Sequence, residues 1–279
     1  MSAWSSVEQE LSCWRRAGTF ARFWVRDDDA VQATPQLERL SSLAFSHDID
    51  VGLGVIPGRI GDDLISHLNS GSTLFYPMCH GWMHINHGAP GRPAEFGPER
   101  PLAIQIDDLR CALAAFRAAF DVPAVFVPPF NRINSCVARE LPGVGFAALS
   151  SAPSVNLQRL ARMAGRAVYL PGIPVRLPVA VRLLDVQIDP VDWSRETAQP
   201  VELVAETLLG ELRIRRKGYV DPALPIGILL HHLIHDEAIW ALSGELLAVL
   251  RGNPAVHFPR LAEIMPGGAH AKPVSLAAE

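Results

Sequence analysis

The stretch Phe23-Trp-Val-Arg-Asp-Asp-Asp-Ala30 sets three consecutive carboxylates directly after a β-branched and aromatic run. It reads as a strand that ends in concentrated negative charge, and such crowding calls for a cation or a shared proton. About fifty residues on, Cys79-His-Gly-Trp-Met-His-Ile-Asn-His87 follows a second apolar run, Thr73 to Met78. The two clusters together suggest a divalent metal held by one carboxylate and two imidazoles.

Working outward, apolar strand-like runs alternate with helical patterns, the signature of strand-helix-strand units around a parallel sheet. Strands are expected at Phe23 to Arg26, Val51 to Ile56, Thr73 to Met78, Ala124 to Val127, Phe146 to Leu149, Ala167 to Leu170, Leu183 to Ile188 and Ile226 to Leu230. That number predicts an α/β fold, a barrel. Thr34 and Pro35 supply an N-cap and first-turn proline for a helix with Leu37, Leu40 and Ala44 on one face. A second helix carries Ile106, Leu109, Leu113, Phe116 and Phe120 at three- and four-residue steps. A third runs from about Val201 to Lys217, with basic residues in its last turn and Gly218 as terminator.

The chain has 279 residues, 49% hydrophobic and 19% charged, enough for one large domain with a substantial core. A single domain is expected over 1–265, with a loosely attached tail over 266–279. A formal charge of -4 leaves no electrostatic footprint for nucleic acid or anionic lipid. Cys13, Cys79, Cys111 and Cys136 form no CxxC pair and read as thiols in a reducing compartment. With no secretory pattern at the N-terminus and no run of membrane-spanning length, a cytoplasmic protein without a membrane partner is expected.

In parallel α/β folds, side chains just beyond several strands converge on one face. The polar clusters Asp27 to Asp29, His80 to His87, Pro128 to Arg132, Asp189 to Trp193 and His231 to Asp236 all occupy such positions. In that order they resemble the motifs of the polysaccharide deacetylase superfamily, carbohydrate esterase family four. Asp28-Asp29 resembles its first motif, His80-Gly-Trp-Met-His84 its second, Asp189-Pro-Val-Asp192-Trp193 its fourth and Leu229-Leu-His231 its fifth. The third departs. Where the family reads Arg-Pro-Pro-Tyr, this chain has Val127-Pro-Pro-Phe130-Asn-Arg132, so the arginine that holds the catalytic carboxylate is missing from its place. Arg132 and Arg26 are the candidates to replace it.

The resemblance, over roughly Ala21 to Trp240, implies an irregular (β/α) barrel of seven or eight parallel strands. It implies a metal-dependent hydrolase of C–N bonds, with an N-acetylated amino sugar or a related small-molecule or saccharide substrate. Asp29, His80 and His84 would be the metal ligands and Asp28 the base, with Asp27-Asp28 as the alternative frame. His231 would be the acid, its imidazole oriented by Asp189 or Asp192. Trp82, Phe130, Asn131, Arg132 and Trp193 would contact substrate. Zinc is the expected ion because an Asp-His-His set leaves a position open for water or substrate, and cobalt, nickel or manganese can share such ligands.

Blander readings stand beside these. Three aspartates after a strand can be a solvated turn or helix cap, and a histidine pair four apart can be merely polar. His87 is read as rim or an outer hydrogen-bonding partner, Cys79 as core and Asp236 as a helix cap. The proline- and glycine-rich stretch Gly88 to Pro101 is read as a polar rim over the site, with Glu95 facing substrate or solvent. The rival functions are a hydrolase of small amides or cyclic ureides, suited to a soluble compartment, and a degenerate barrel that binds metal or carbohydrate without turnover.

Overall fold

The computed structural model describes residues 2–71, 73–152 and 182–265. In chain order the elements are α1 (Ser5–Arg16), β1 (Ala21–Ala30), α2 (Pro35–His47), β2 (Val51–Val55), α3 (Asp62–Asn69), β3 (Phe75–His80), α4 (Leu102–Ala119), β4 (Val125–Val127), α5 (Ser135–Val144) and β5 (Ala148–Leu149). They continue with β6 (Arg182–Leu183), β7 (Val186–Ile188), β8 (Val191–Asp192), β9 (Thr197–Ala198), α6 (Val201–Arg216), β10 (Ile226–Leu230), α7 (Glu237–Arg251), β11 (Val256–His257) and α8 (Leu261–Ile264). No helix among the described residues is long and apolar enough to cross a membrane.

Eight strands hydrogen-bond side by side, all parallel, in the order β6-β5-β4-β3-β2-β1-β10-β7, and β11 adds to the start of β1. The two edge strands, β6 and β7, are separated in the chain only by Leu184 and Asp185. A two-residue link between opposite edges forces the sheet to curl until they nearly meet. The result is the expected irregular α/β barrel, and the run expected as one strand over Leu183 to Ile188 is two strands at opposite edges. The expected strand Ala167 to Leu170 and the C-terminal tail over 266–279 lie outside the described residues.

Alternation along β1 assigns its faces. Phe23 and Val25 join the layer between sheet and helices, with Trp14, Leu53, Phe126, Leu208 and Leu246. Trp24 points the other way, into an inner cluster with Met78, Val125, Val127, Val186 and Leu229 that Leu261, Ile264 and Met265 close off. The helices follow their sequence signals. Thr34 Oγ1 accepts from the Leu37 amide at 3.1 Å, Leu37, Leu40 and Ala44 are buried, and α6 runs to Arg216 before Gly218 at φ 75°. Asp236 caps α7, accepting from the Ile239 amide at 2.7 Å.

The stretch Gly88 to Pro101 corrects its expectation in part. Its outer residues are exposed, but Ala94, Glu95 and Phe96 are buried, Phe96 edge-on to Phe126 at 5.3 Å between ring centres. A phenylalanine and an alanine that find the core drag the intervening carboxylate in with them.

Candidate metal centre

The end of β1 delivers three adjacent carboxylates in three directions. Strand alternation alone would give two, but the register against β2 shifts between Asp27 and Ala30, and Asp29 takes a left-handed φ of 74°. Asp28 follows Arg26 and Trp24 to the inner face. Asp27 turns toward the end of β10, and Asp29 toward β3.

His80 ends β3. Its ring Nδ1 lies 3.2 Å from the Val127 carbonyl oxygen and its Nε2 3.1 Å from Asp29 Oδ1. With Nδ1–H donating to that carbonyl, the Nε2 lone pair faces the site, the arrangement that prepares an imidazole to bind metal. Gly81 at φ 65° and His84 at φ 57° then fold the chain back, so His84 Nε2 also comes within 3.2 Å of Asp29 Oδ1. A donor atom from each of Asp29, His80 and His84 lies within 4.8 Å of the others, so one ion can reach all three. One carboxylate oxygen and two imidazole nitrogens suit a borderline divalent cation such as zinc and leave its coordination open on one side.

Glu95 holds this loop. Its buried carboxylate accepts from the Trp82 amide at 3.0 Å and the Met83 amide at 2.8 Å, with the Ile85 amide at 3.5 Å. Gly81 is required beneath it, since a Cβ there would lie 2.2 Å from Glu95 Oε2 and 2.3 Å from Pro129 Cγ. Glu95 is thus a support for the histidine loop, a role that neither substrate nor solvent contact anticipated. The one sequence hint was an acidic residue flanked by Ala94 and Phe96.

Asp28 lies in the interior at 1% exposure, paired with Arg26 at 0%, Nη2 to Oδ2 2.9 Å. Arg26 also donates through Nη1 to the Ser150 carbonyl at 3.0 Å and Oγ at 2.8 Å, and through Nη2 to Asn131 Oδ1. Of the two candidates to replace the missing arginine, Arg26 makes the pair; Arg132 is exposed on the rim. Among the described residues the other oxygen of Asp28 accepts no hydrogen bond, and a Cβ at Gly54 would come within 2.7 Å of it.

His231 closes the far side, Nε2 3.9 Å from Asp28 Oδ2, with Trp193 edge-on at 4.6 Å. Trp193 Nε1 donates to Asp189 Oδ2 at 2.8 Å. Burial pushes the Asp189 carboxyl up against the opposing pull of His231. Asp192 instead accepts from the amide and hydroxyl of Ser194 at 3.0 and 2.6 Å and lies 3.7 Å from Arg195, so its hydrogen bonds serve a turn. Phe130 stacks obliquely on His84 at 4.6 Å, and Trp82 is half-buried against the outer core. Asn131 reaches Arg26, and His87 is exposed. Cys79 is buried in the core, where burial pushes its thiol well up.

Burial opposes ionisation of Asp29, but the hydrogen bond and charge of His80, with His231 and His84 behind, hold its carboxyl well below the usual range. Burial likewise opposes charge on His80, and the carboxylates of Asp28 and Asp29 outweigh it, raising the imidazole. His84 is lowered by burial and by His80. Of the six non-glycine residues with positive φ among the described residues, four (Asp29, His84, Phe130 and Asn131) belong to this site, the clustering expected of backbone held for a task.

No family model matches the sequence, and no curated protein matches it. Solved structures do match. A polysaccharide deacetylase described as putative, from Mycobacterium smegmatis, superposes with a TM-score of 0.57 at 14% identity, covering 88% of this chain and 89% of that one. The chain has the polysaccharide deacetylase fold. A family 4 acetyl xylan esterase from Clostridium thermocellum, in complex with cobalt, is similar at TM-score 0.50 and 14% identity over 87% of this chain and 89% of that one. So is a mutant of a family 4 pseudoenzyme with restored activity, at 0.50 and 13% over 86% of this chain and 65% of that one. Within the deacetylase fold, the clusters singled out in the sequence all lie at the C-terminal ends of parallel strands or just beyond them.

The loop after β10 has its own pH dependence. His235 Nε2 accepts the His231 amide at 3.1 Å, which requires an unprotonated nitrogen, and burial pushes the His235 pKa from 6.5 down to about 4. A histidine lowered in the folded state contributes stability that is complete above pH 6.5 and is lost as pH falls toward 4. His235→Gln, with a carbonyl acceptor that does not titrate, is expected to lose less stability than wild type between pH 7 and 4, by ~1–3 kcal/mol. Denaturant unfolding across that range checks it, and parallel profiles refute it.

Proposed function

We propose that this chain is a metal-dependent hydrolase of C–N bonds that removes the acetyl group from an N-acetylated amino sugar. The observation that carries the reading is the convergence of Asp29, His80 and His84 donors beside an Asp28 carboxylate and the His231 imidazole. A neighbour of the same fold that is in complex with cobalt supports a divalent ion at such a site. When bound, the ion supplies a Lewis acid that lowers the pKa of water and polarises a carbonyl.

The chain's own residues do the rest. Asp28 takes the proton of the attacking water, and the buried Arg26 guanidinium pairs with it and holds it in place. Water oxygen bonds to the carbonyl carbon, and the resulting tetrahedral centre collapses as the C–N bond breaks. His231 gives its proton to the departing nitrogen, which leaves as an amine while the acyl group leaves as acetate. Asp189, through Trp193, sets the wall against which His231 rests. The missing third-motif arginine was the reason to consider a barrel that binds without turnover; Arg26 supplies the same charge from another strand and favours turnover.

Acetate release from N-acetylglucosamine oligomers, and amine release from small amides and cyclic ureides, tests the reading. Activity is expected with zinc, cobalt, nickel or manganese, lost on chelation and recovered on metal return. Stoichiometric metal with no turnover of any substrate would transfer the protein to the binding class.

A further inference from the structure

Asp27 and His232 are both 0% exposed, lie 205 residues apart in the chain, and meet where β1 and β10 end side by side in register. Asp27 accepts from the His232 amide at 2.8 Å through one oxygen and faces its ring Nδ1 through the other. Neither residue is exposed to a substrate, and neither is among the donors that converge on a single ion. Burying a carboxylate and an imidazole costs more than burying an apolar pair of the same volume, so a merely structural contact would be better served by hydrocarbons. Each, however, is the chain neighbour of a site residue: Asp27 precedes Asp28, and His232 follows His231.

We propose that the Asp27–His232 pair is a positioning device that locks the ends of β1 and β10 together and so sets the approach of His231 to Asp28. The idea rests on the hydrolase reading for its kinetic consequence and on geometry alone for its structural one. The ring is fastened at one edge, because His232 Nε2 is buried with no hydrogen-bond partner among the described residues, and the bond to Asp27 is the one that orients it there. The peptide bonds Asp27–Asp28 and His231–His232 then carry that arrangement to the site, where His231 Nε2 stands 3.9 Å from Asp28 Oδ2. A misplacement of about 1 Å between reacting groups can cost on the order of a hundredfold in rate.

The test compares two substitutions. In His232→Asn the side-chain nitrogen falls close to the place of Nδ1 and keeps the bond to Asp27; in His232→Leu nothing replaces it. His232→Leu is expected to lower kcat on the acetylated oligomer roughly tenfold or more with KM and bound zinc unchanged, and His232→Asn to recover it to within about threefold. Crystal structures of the two are expected to show the Asp28–His231 separation widened in the leucine variant and kept in the asparagine one. That separation reads the positioning even if no substrate is turned over, in which case the hydrolase reading fails by itself. Should His232→Leu not fold, the isosteric Asp27→Asn, which sets an amide donor against one of two donors, takes its place. Equal separations in the broken and restored variants would overturn the idea, as would a loss of kcat that follows thermal stability rather than the hydrogen bond.

Discussion

Asp29→Ala is expected to reduce divalent metal affinity by about two orders of magnitude or more and to bring turnover to background, with the fold intact. Asp29 is the hub of the site: His80 Nε2 and His84 Nε2 stand 3.1 and 3.2 Å from the same Oδ1. Substituting groups that merely support metal ligands already costs roughly 10–100-fold, and here the single anionic donor is removed. The net charge of a bound complex rises by one unit, and two imidazoles remain to hold the ion. With Asp29 30% exposed and its partners at the site rather than in the core, the unfolding midpoint of the metal-free protein should hardly move. Metal titration by calorimetry, acetate release and denaturant unfolding together decide it. Wild-type metal content and turnover in the variant would defeat the proposed site.

Arg26→Met is expected to act on stability and activity at once. The guanidinium serves Asp28, Asn131 and both acceptors of Ser150 from a position at 0% exposure. Without it the buried Asp28 carboxylate has lost its ion-pair partner, and breaking such a pair by removing one partner costs about 3–5 kcal/mol. The guanidinium also fixes the direction of the Asp28 carboxylate, and a base turned away from the water it must deprotonate is ineffective. Turnover should therefore fall by about two orders of magnitude even at temperatures where the variant is folded. Adding Asp28→Asn is expected to return most of the lost stability and none of the activity, because the amide needs no counter-charge. A double-mutant cycle in denaturant, run beside the acetate assay, separates the two effects. Additive destabilisation would mean that Arg26 and Asp28 are not coupled.

Arg26 also shows how far the sequence could be read. Residues two apart on a strand share a face, and Arg26 and Asp28 are neighbours because the strand expected over Phe23 to Arg26 runs on through the aspartates to Ala30. The choice of Arg26 over Arg132 still needed the inner face to be closed by Ser150 and Asn131, which come from other strand ends. Asp29 was separable from Asp27 only through the irregularity at Asp29, because an unbroken strand would have pointed both the same way. Glu95 was legible as an acid in a rim and illegible as a loop support, since its partners are the backbone amides of residues 82, 83 and 85.

The sequence by itself determined the alternation of strands and helices, the caps at Thr34 and Asp236, the face of α2 and the end of α6, and the order of polar clusters after apolar runs. These follow from periodicity and local hydrogen bonding, which act over a few residues and leave their marks in adjacent letters. Tertiary structure alone decided the curl that brings the opposite edge strands β6 and β7 together, the meeting of Asp27 with His232, and the three directions taken by three consecutive aspartates. Those depend on contacts between residues up to two hundred positions apart, where the energy of burying a charge beside its partner is set by where the chain closes and by nothing written next to it.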